Sequence, residues 1–323
     1  MLATVVVGQT GASIPTSGAE NAGQNLLQPH IVETSPVPLQ IARHMPVQLI
    51  NGRAKSFAVI GKMQPGVALG ACLDYTLQDY EIEQATYIYG ELVSAFQTCS
   101  TTQDITGGPN NLNNALRKKA ERRLQQLFWE LIDTGVAGSG SFLGLAGLLP
   151  AGQRVVVGGV PTLAQFDQAL SLVVDNEAHP TAIMSNWGAL RRYLDLLRTA
   201  GLKPDLVETQ WADPIRGVVP GKVVSVYGTP WYINAAMTTR PEGTNIYFMV
   251  LGDNGEARPG HGLTMIMPAE RRGNPYIERD WPMFKTDGSL TPTSTITRAL
   301  HWPVGYALGS MGAVSMLENI TPL

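Results

Sequence analysis

Apolar and polar positions follow no common rhythm along this chain, and the changes of rhythm divide it. From Met1 to Gln40 no hydrophobic period persists; the stretch scatters Gly, Ser, Thr, Asn, Gln and Pro, with no Lys or Arg and only Glu20 and Glu33. Such a segment cannot build a core of its own. It is either a free tail or an arm that orders on a partner, and the apolar beads Ile31, Val32, Val37, Leu39 and Ile41 favour the arm. From Val47 to Phe96 the texture predicts strands. Phe57–Ile60 runs into Gly61, Pro65-Gly66 reads as a turn, and Gln84–Val93 is aromatic and β-branched. The two runs stand about twenty-five residues apart, which predicts a long hairpin or loop that lies on neighbours more naturally than in a compact enzyme.

The rhythm then becomes helical. Leu112, Leu116, Ala120, Leu124, Leu127 and Leu131 recur at steps of four and three, predicting one apolar stripe on a helix from Asn110 to Asp133. Asn110 or Asn111 is placed to cap its start, and Gly135 to end it in a left-handed turn. Mixed elements follow. Thr162-x-x-Gln165 reads as a capping box before Leu163, Phe166, Leu170 and Val173. Pro180–Met184 reads as a short buried strand, with Ser185 capping a helix through Trp187, Leu190, Leu194 and Leu197 that Gly201 and Pro204 close. Strands are predicted at Val223–Tyr227, Trp231–Ala235, Asn245–Leu251 and Leu263–Met267, with a turn at Asp253-Asn254-Gly255. Pro268 to Thr297 reads as loop, and Trp302 to Leu317 as a last apolar stretch. No internal repeat is visible.

Composition narrows the classes. With 323 residues the chain is long enough for one large domain or two modest ones. At 44% hydrophobic it is not disordered throughout, and 34 Gly and 22 Pro exclude a long coiled coil. Only 15% of residues are charged, against roughly 25% in ordinary soluble domains, so much of the surface is expected to be covered, copies of the chain itself being the simplest cover. A net charge of −3 argues against wrapping nucleic acid with the whole surface. No apolar run approaches the ~18 residues of a membrane span, and Leu2–Val7 is too short, without a basic flank, for a secretory signal, so no membrane partner is expected. Cys72 and Cys99 form no CxxC and have no histidine at ligand spacing, which reads as two free thiols.

Local catalytic motifs are absent or broken. Ser139 and Ser310 lack the flanking glycines of a nucleophile elbow, having Ala137 and Ser141, and Leu308, in those places. Gly217–Lys222 is one residue short of a phosphate loop, and Val223 stands where a hydroxyl would hold magnesium. Gly138–Gly144 reads as a flexible connection. His30, His44, His179, His261 and His301 have no partner at metal-ligating spacing and read as structural or surface residues. No catalytic residue, metal or cofactor is assigned. The one basic cluster, Arg117, Lys118, Lys119, Arg122 and Arg123, crowds the polar side of the long helix with Glu121 alone against it. It is either a solvated face or a face turned to polyanion, where non-specific phosphate contact is the most it could support.

The order of parts, a polar arm, a β-rich loop, a spine-like helix and then an α/β region ending in strands, resembles the major capsid protein of tailed bacteriophages, the Hong Kong 97-like fold. Four phrases carry the resemblance across residues 40–323. Ala120–Gly135 followed by Phe142-Leu-Gly-Leu145 is similar to the end of that family's spine helix and the turn after it. Thr181–Leu190 is similar to its strand-then-helix segment, Tyr227–Ile233 to its Gly-x-Pro strand, and Tyr247–Asp253 to a later strand ending in Gly-Asp. The resemblance implies an α+β fold with an N-terminal arm (1–46), an extended loop and flanks (47–108), a peripheral domain (109–151 and 249–300) with spine helix 110–134, and an axial domain (152–248 and 301–323). It implies a structural protein, not an enzyme, assembled in the host cytoplasm into the icosahedral capsid of a virion. Its partners would be its own copies in hexamers and pentamers, packaged double-stranded DNA, and scaffolding, portal and decoration proteins. The arm and the loop at about 50–97 would contribute most of the burial between subunits, as coreless segments that order on neighbours do, and the basic helix side would face the interior.

Two departures qualify the resemblance. No long helical segment precedes the arm, so a fused scaffolding domain is not expected. Nothing assigns a self-crosslinking Lys–Asn pair, although Lys62 lies in the expected loop. The alternatives are an encapsulin-type shell around an enzyme cargo, against which the polar arm argues because that family's chains begin with a short amphipathic helix, and a soluble α/β enzyme with a pocket pairing His179, His261 or His301 with a carboxylate.

Overall fold

The computed structural model describes residues 45–52, 54–60, 82–99, 112–136, 142–176, 178–208, 222–237, 243–252, 261–271, 275–280 and 295–323. The expected arm up to residue 44, Lys62, the turns at Pro65-Gly66 and Asp253–Gly255, the caps Asn110 and Asn111, and Ser139 lie outside them. The described elements are strands β1 (Val47–Ile50), β2 (Ala54–Ile60), β3 (Ile82–Ile88) and β4 (Gly90–Cys99), then helices α1 (Leu112–Thr134) and α2 (Leu145–Leu148). There follow β5 (Arg154–Gly159), α3 (Leu163–Val174), β6 (Ala182–Ser185), α4 (Trp187–Thr199), β7 (Asp205–Glu208), β8 (Lys222–Val226), β9 (Thr229–Ile233) and β10 (Thr244–Met249). The chain ends with β11 (Leu263–Pro268), β12 (Ile277–Asp280), β13 (Thr295–Leu308) and β14 (Val314–Ile320).

Contacts gather these elements into two units. The smaller draws on Leu92–Leu127 and Asn274–Trp302. There β12 runs antiparallel to β13, Ile277 opposite His301 and Asp280 opposite Arg298, and β4 also pairs with β13. The Tyr276 ring tilts against Trp302 at 5.6 Å, and Gln125 of α1 donates to the Tyr276 hydroxyl at 2.9 Å.

The larger unit draws on Leu39–Glu91, Phe128–Gly273 and Pro303–Leu323 and is organised by a seven-stranded sheet in the order β5-β14-β10-β6-β9-β8-β7. The β5–β14 and β6–β9 pairs are parallel and the others antiparallel. Every residue of β10 is buried, because side chains alternate between faces and both faces are covered. Phe248 points to Phe166 of α3, ring centroids 6.5 Å apart, and Phe166 in turn meets Tyr193 of α4 and Trp231 of β9. On the opposite face Tyr247 meets the last turns of α1 through Asp133. Phe166 and Trp231 are each 1% exposed, so removing either ring empties a packed site, which typically costs about 3–5 kcal/mol. In the same unit β11 lies between β1, parallel, and β13, antiparallel, over a small core of Ile50, Ile266 and Ala307. Strands β2 and β3 form a separate two-stranded ribbon, Ala54 opposite Ile88 and Ile60 opposite Ile82, which is the long hairpin the pattern predicts.

Helix boundaries follow local chemistry. At the start of α3 the Thr162 hydroxyl accepts the Gln165 amide while the Gln165 side chain accepts the Thr162 amide, the reciprocal box expected from the sequence. At α4 the cap is Asn186 rather than Ser185: its Oδ1 accepts the Ala189 amide at 2.9 Å, and the Ser185 hydroxyl is engaged with Trp231 Nε1 instead. Gly201, at φ +69°, closes that helix as predicted. Gly135 does not adopt the expected left-handed turn. It is needed for closeness, since a Cβ there would lie 2.3 Å from the Phe142 carbonyl oxygen and 2.6 Å from that of Leu131. Pro268 to Thr297 is not all loop, because β12 and the start of β13 lie within it, and the last apolar stretch divides into β13 and β14 around a 3-10 turn at Met311–Ala313.

Candidate assembly surfaces

The five basic residues of α1 do not share one environment. Ala120, Leu124, Phe128 and Ile132 form the buried stripe, and Lys118, Lys119 and Arg123 are exposed with Arg122 half-buried beside them. At about 100° per residue these four cover an arc of roughly 140° opposite the stripe. Arg117 lies on the stripe's own side. Its Nε approaches Glu121 at 3.2 Å and Glu278 of β12 at 3.8 Å, and Glu278 also accepts Arg298 Nη1 at 3.1 Å. The spacing signals this division, since Arg117 stands four before Glu121 and seven before Leu124.

The seven-stranded sheet presents two unlike edges. At one, β5 carries Val156, 64% exposed, with Val160 just beyond it at 55%, and an added Cβ at Gly158 or Gly159 would meet nothing within 4 Å. Arg154 at its start is held by the Leu149 carbonyl and Glu318. At the other edge lie β7, with Leu206 exposed, the neighbouring Leu202, and the β8–β9 turn. That turn has two residues, Tyr227 at φ +49° and Gly228 at φ +82°, the paired positive dihedrals that match strand twist. Tyr227 is 70% exposed and donates its hydroxyl to Asp167 Oδ1 at 3.0 Å. That hydrogen bond to a carboxylate raises its pKa.

The ribbon is a third surface. Ala54, Ser56, Thr86 and Ile88 are exposed, Ile88 by 55%, and the Ser56 and Thr86 hydroxyls hydrogen-bond across the strands at 3.1 Å. A two-stranded ribbon is marginal in water without a partner. Just past its base the chain is firmly held. Tyr89 packs on the Ile50, Ile266 and Ala307 core, and the Tyr87 ring lies 6.5 Å from that of Tyr306. Burial pushes Tyr87 up to about 12 and raises Tyr306 further, and the Tyr306 hydroxyl donates to the Leu143 carbonyl.

A buried polar node ties the end of α1 to β10. Asp133, 2% exposed, accepts the Tyr247 hydroxyl at 2.5 Å and the Asn245 amide at 3.0 Å, and Asn245 Oδ1 accepts the Asn319 amide at 3.4 Å, where β10 and β14 shift register. No sequence motif marks these residues.

Among the described residues no three His, Cys, Asp or Glu gather as metal ligands, and no helix is long and apolar enough to cross a membrane. His179 is exposed, His261 accepts the Ser310 amide at its carbonyl, and His301 lies on β13 opposite Ile277.

No family model matches the sequence, and no curated protein does. Solved structures match closely in fold. The SrpI encapsulin of Synechococcus elongatus superposes with TM-score 0.67 at 13% identity, covering 92% of this chain and 94% of its own. The capsid of a native GTA particle gives TM-score 0.61 at 14% identity, covering 90% and 93%. A chain from the phage G assembly of major capsid and decoration proteins gives 0.57 at 6% identity, covering 95% and 98%. At these identities the likeness is one of fold, and that fold, mixed α+β with few helices and many strands, is shared with shell-forming proteins.

Proposed function

We propose that this chain is the major capsid protein of a tailed-phage-type particle, a structural rather than catalytic protein with the Hong Kong 97-like fold. The observation that carries the reading is the match to phage capsid and encapsulin chains over 90–95% of this chain. On this reading residues 1–46 are the arm, 47–108 the extended loop with its flanks, 109–151 and 249–300 the peripheral domain, and 152–248 with 301–323 the axial domain. Copies assemble as hexamers and pentamers into an icosahedral shell around double-stranded DNA, with scaffolding, portal and decoration proteins as partners, in the host cytoplasm. The exposed ribbon supports it, since such a ribbon gains stability by lying on a neighbour. Lys118, Lys119, Arg122 and Arg123 face the enclosed DNA and offset phosphate charge without reading sequence. Arg117 is bound to Glu121 and Glu278 and serves the fold instead.

A second reading, an encapsulin-type compartment, is favoured by the match to SrpI at TM-score 0.67. One experiment tests both. The full chain is expressed, particles are isolated by size-exclusion chromatography and imaged in negative stain, and their contents are analysed. Closed angular shells or free rings of five and six are expected. Nucleic acid within particles from infected cells supports the capsid, and a single enclosed protein supports the compartment. A homogeneous monomer under all assembly conditions, including added scaffold, overturns both.

A further inference from the structure

The seven-stranded sheet ends in two edges that differ in charge. The β5 edge and its continuation, Val155-Val156-Val157-Gly158-Gly159-Val160, carry no charged side chain beyond Arg154, and the one Pro, Pro161, comes after them. Soluble proteins protect an open edge with Lys, Pro, a bulge or a covering loop, because an uncovered β-branched edge templates pairing with other chains; β5 has a register shift between Val156 and Gly159 but neither Lys nor Pro. Here Val156 and Val160 are among the most exposed apolar residues, and the two glycines leave open space for a close backbone approach. The β7 end pairs exposed apolar residues, Leu206, Leu202 and Tyr227, with exposed charges, the carboxylates of Asp205 and Asp167 and the single ammonium of Lys203.

These edges lie at opposite ends of one sheet, roughly 29 Å apart at about 4.8 Å per strand. A ring of identical subunits needs two different, mutually complementary patches on opposite sides of each subunit, whereas a two-fold dimer needs a single self-complementary one. Two β7 ends face to face would oppose Asp205 and Asp167 to their own copies. A β7 end against a β5 edge opposes those carboxylates to a surface of no net charge, since Arg154 is paired with Glu318 of β14 at 3.8 Å. We propose that the β5 edge of one copy docks against the β7 end of the next, Val156 and Val160 meeting Leu206 and Tyr227, and that repetition of this head-to-tail contact closes the ring. The inference rests on the shell reading and names the surface that the reading requires within a capsomer.

Disulfide trapping tests it. Val156→Cys and Leu206→Cys are made separately in the full chain; both positions are exposed, so the fold tolerates them. The unmodified chain, which keeps Cys72 and Cys99, sets the background. Under an oxidant the mixture of the two variants forms covalent dimers containing one of each, absent from either variant alone, and the double variant forms a ladder that stops at the ring size. Dimers of Val156→Cys alone overturn the proposal in favour of a two-fold contact between β5 edges. Closed particles without the mixed disulfide overturn it while leaving the shell reading intact. An unmodified chain that never associates defeats both.

Discussion

The hydroxyl of Tyr247 donates to the carboxylate of Asp133 across 2.5 Å, with neither residue reached by solvent beyond 2%. Asp133 lies in the last turn of α1, where the helix dipole is unfavourable to a carboxylate, so donors must offset both burial and dipole. Tyr247→Phe removes one donor and leaves Asn245 Nδ2. It is expected to lower unfolding free energy by about 1–3 kcal/mol in chemical denaturation, the cost of leaving a buried acceptor short of a partner. In the Asp133→Asn background the same change is expected to cost less, and equal costs in both backgrounds would sever the pair.

Three glycines separate close packing from open space. Gly135→Ala and Gly305→Ala each drive a Cβ into backbone, at 2.3 Å from the Phe142 oxygen and 2.8 Å from the Tyr89 Cα, and both are expected to destabilise the chain strongly. Gly152→Ala meets nothing within 4 Å and is expected to be within about 0.5 kcal/mol of neutral. Thermal melts of the unassembled chain rank the three, and a neutral Gly305→Ala would contradict the close approach of Tyr89.

Tyr227 occupies a left-handed position that costs a non-glycine residue about 1–2 kcal/mol and that Asn tolerates better. Tyr227→Asn is expected to leave the isolated chain as stable or more so, and to reduce ring or shell yield. A loss of stability without loss of assembly would mean that the tyrosine serves the fold.

Burial raises Tyr87 and Tyr193 to about 12, and Tyr306 is raised further by the same cause. The neutral form is the one the fold favours. Their contribution is therefore complete below the unfolded value of 10.0 and declines as pH rises from there toward the folded values. Stability is expected to fall steeply between about pH 10 and 12, with the ultraviolet band of these phenolates appearing together with unfolding. Early ionisation without unfolding would place these rings in solvent.

Reversing Arg122 and Arg123 to Glu is expected to leave the fold intact, because neither side chain belongs to the buried stripe, and to reduce DNA content per particle. Unchanged content in normal particles would return that face to the role of a solvated surface. Arg117→Glu is expected instead to destabilise the chain by opposing Glu121 and Glu278.

Elements governed by local rules were legible in the sequence. The four-and-three spacing from Leu112 to Leu131 needs only a helix with one buried side, and Thr162 with Gln165 needs only three residues of chain. Elements that depend on distant partners were not. Asp133 reads as an ordinary polar residue at a helix end, because its donors stand more than a hundred positions away. No strand was expected at Val155–Val157, because the run is short and runs into glycines, and its ladder comes from β14, far along the chain. Ser185 and Asn186 are both good caps, and the choice between them was made by the Trp231 indole, far off in sequence.

In space β14 lies between β5 and β10, yet in synthesis it comes after every other strand of its sheet. At about 5–20 residues per second a ribosome takes roughly 8–30 seconds to travel from Gly159 to Val314. Through that interval β5 lacks β14, its neighbour among the described strands of this sheet. The sheet is therefore completed only once β14 has been made, and until then β5 is not a finished sheet edge. Polysomes loaded with this message would carry, side by side, chains whose first strand of this sheet still waits for its last.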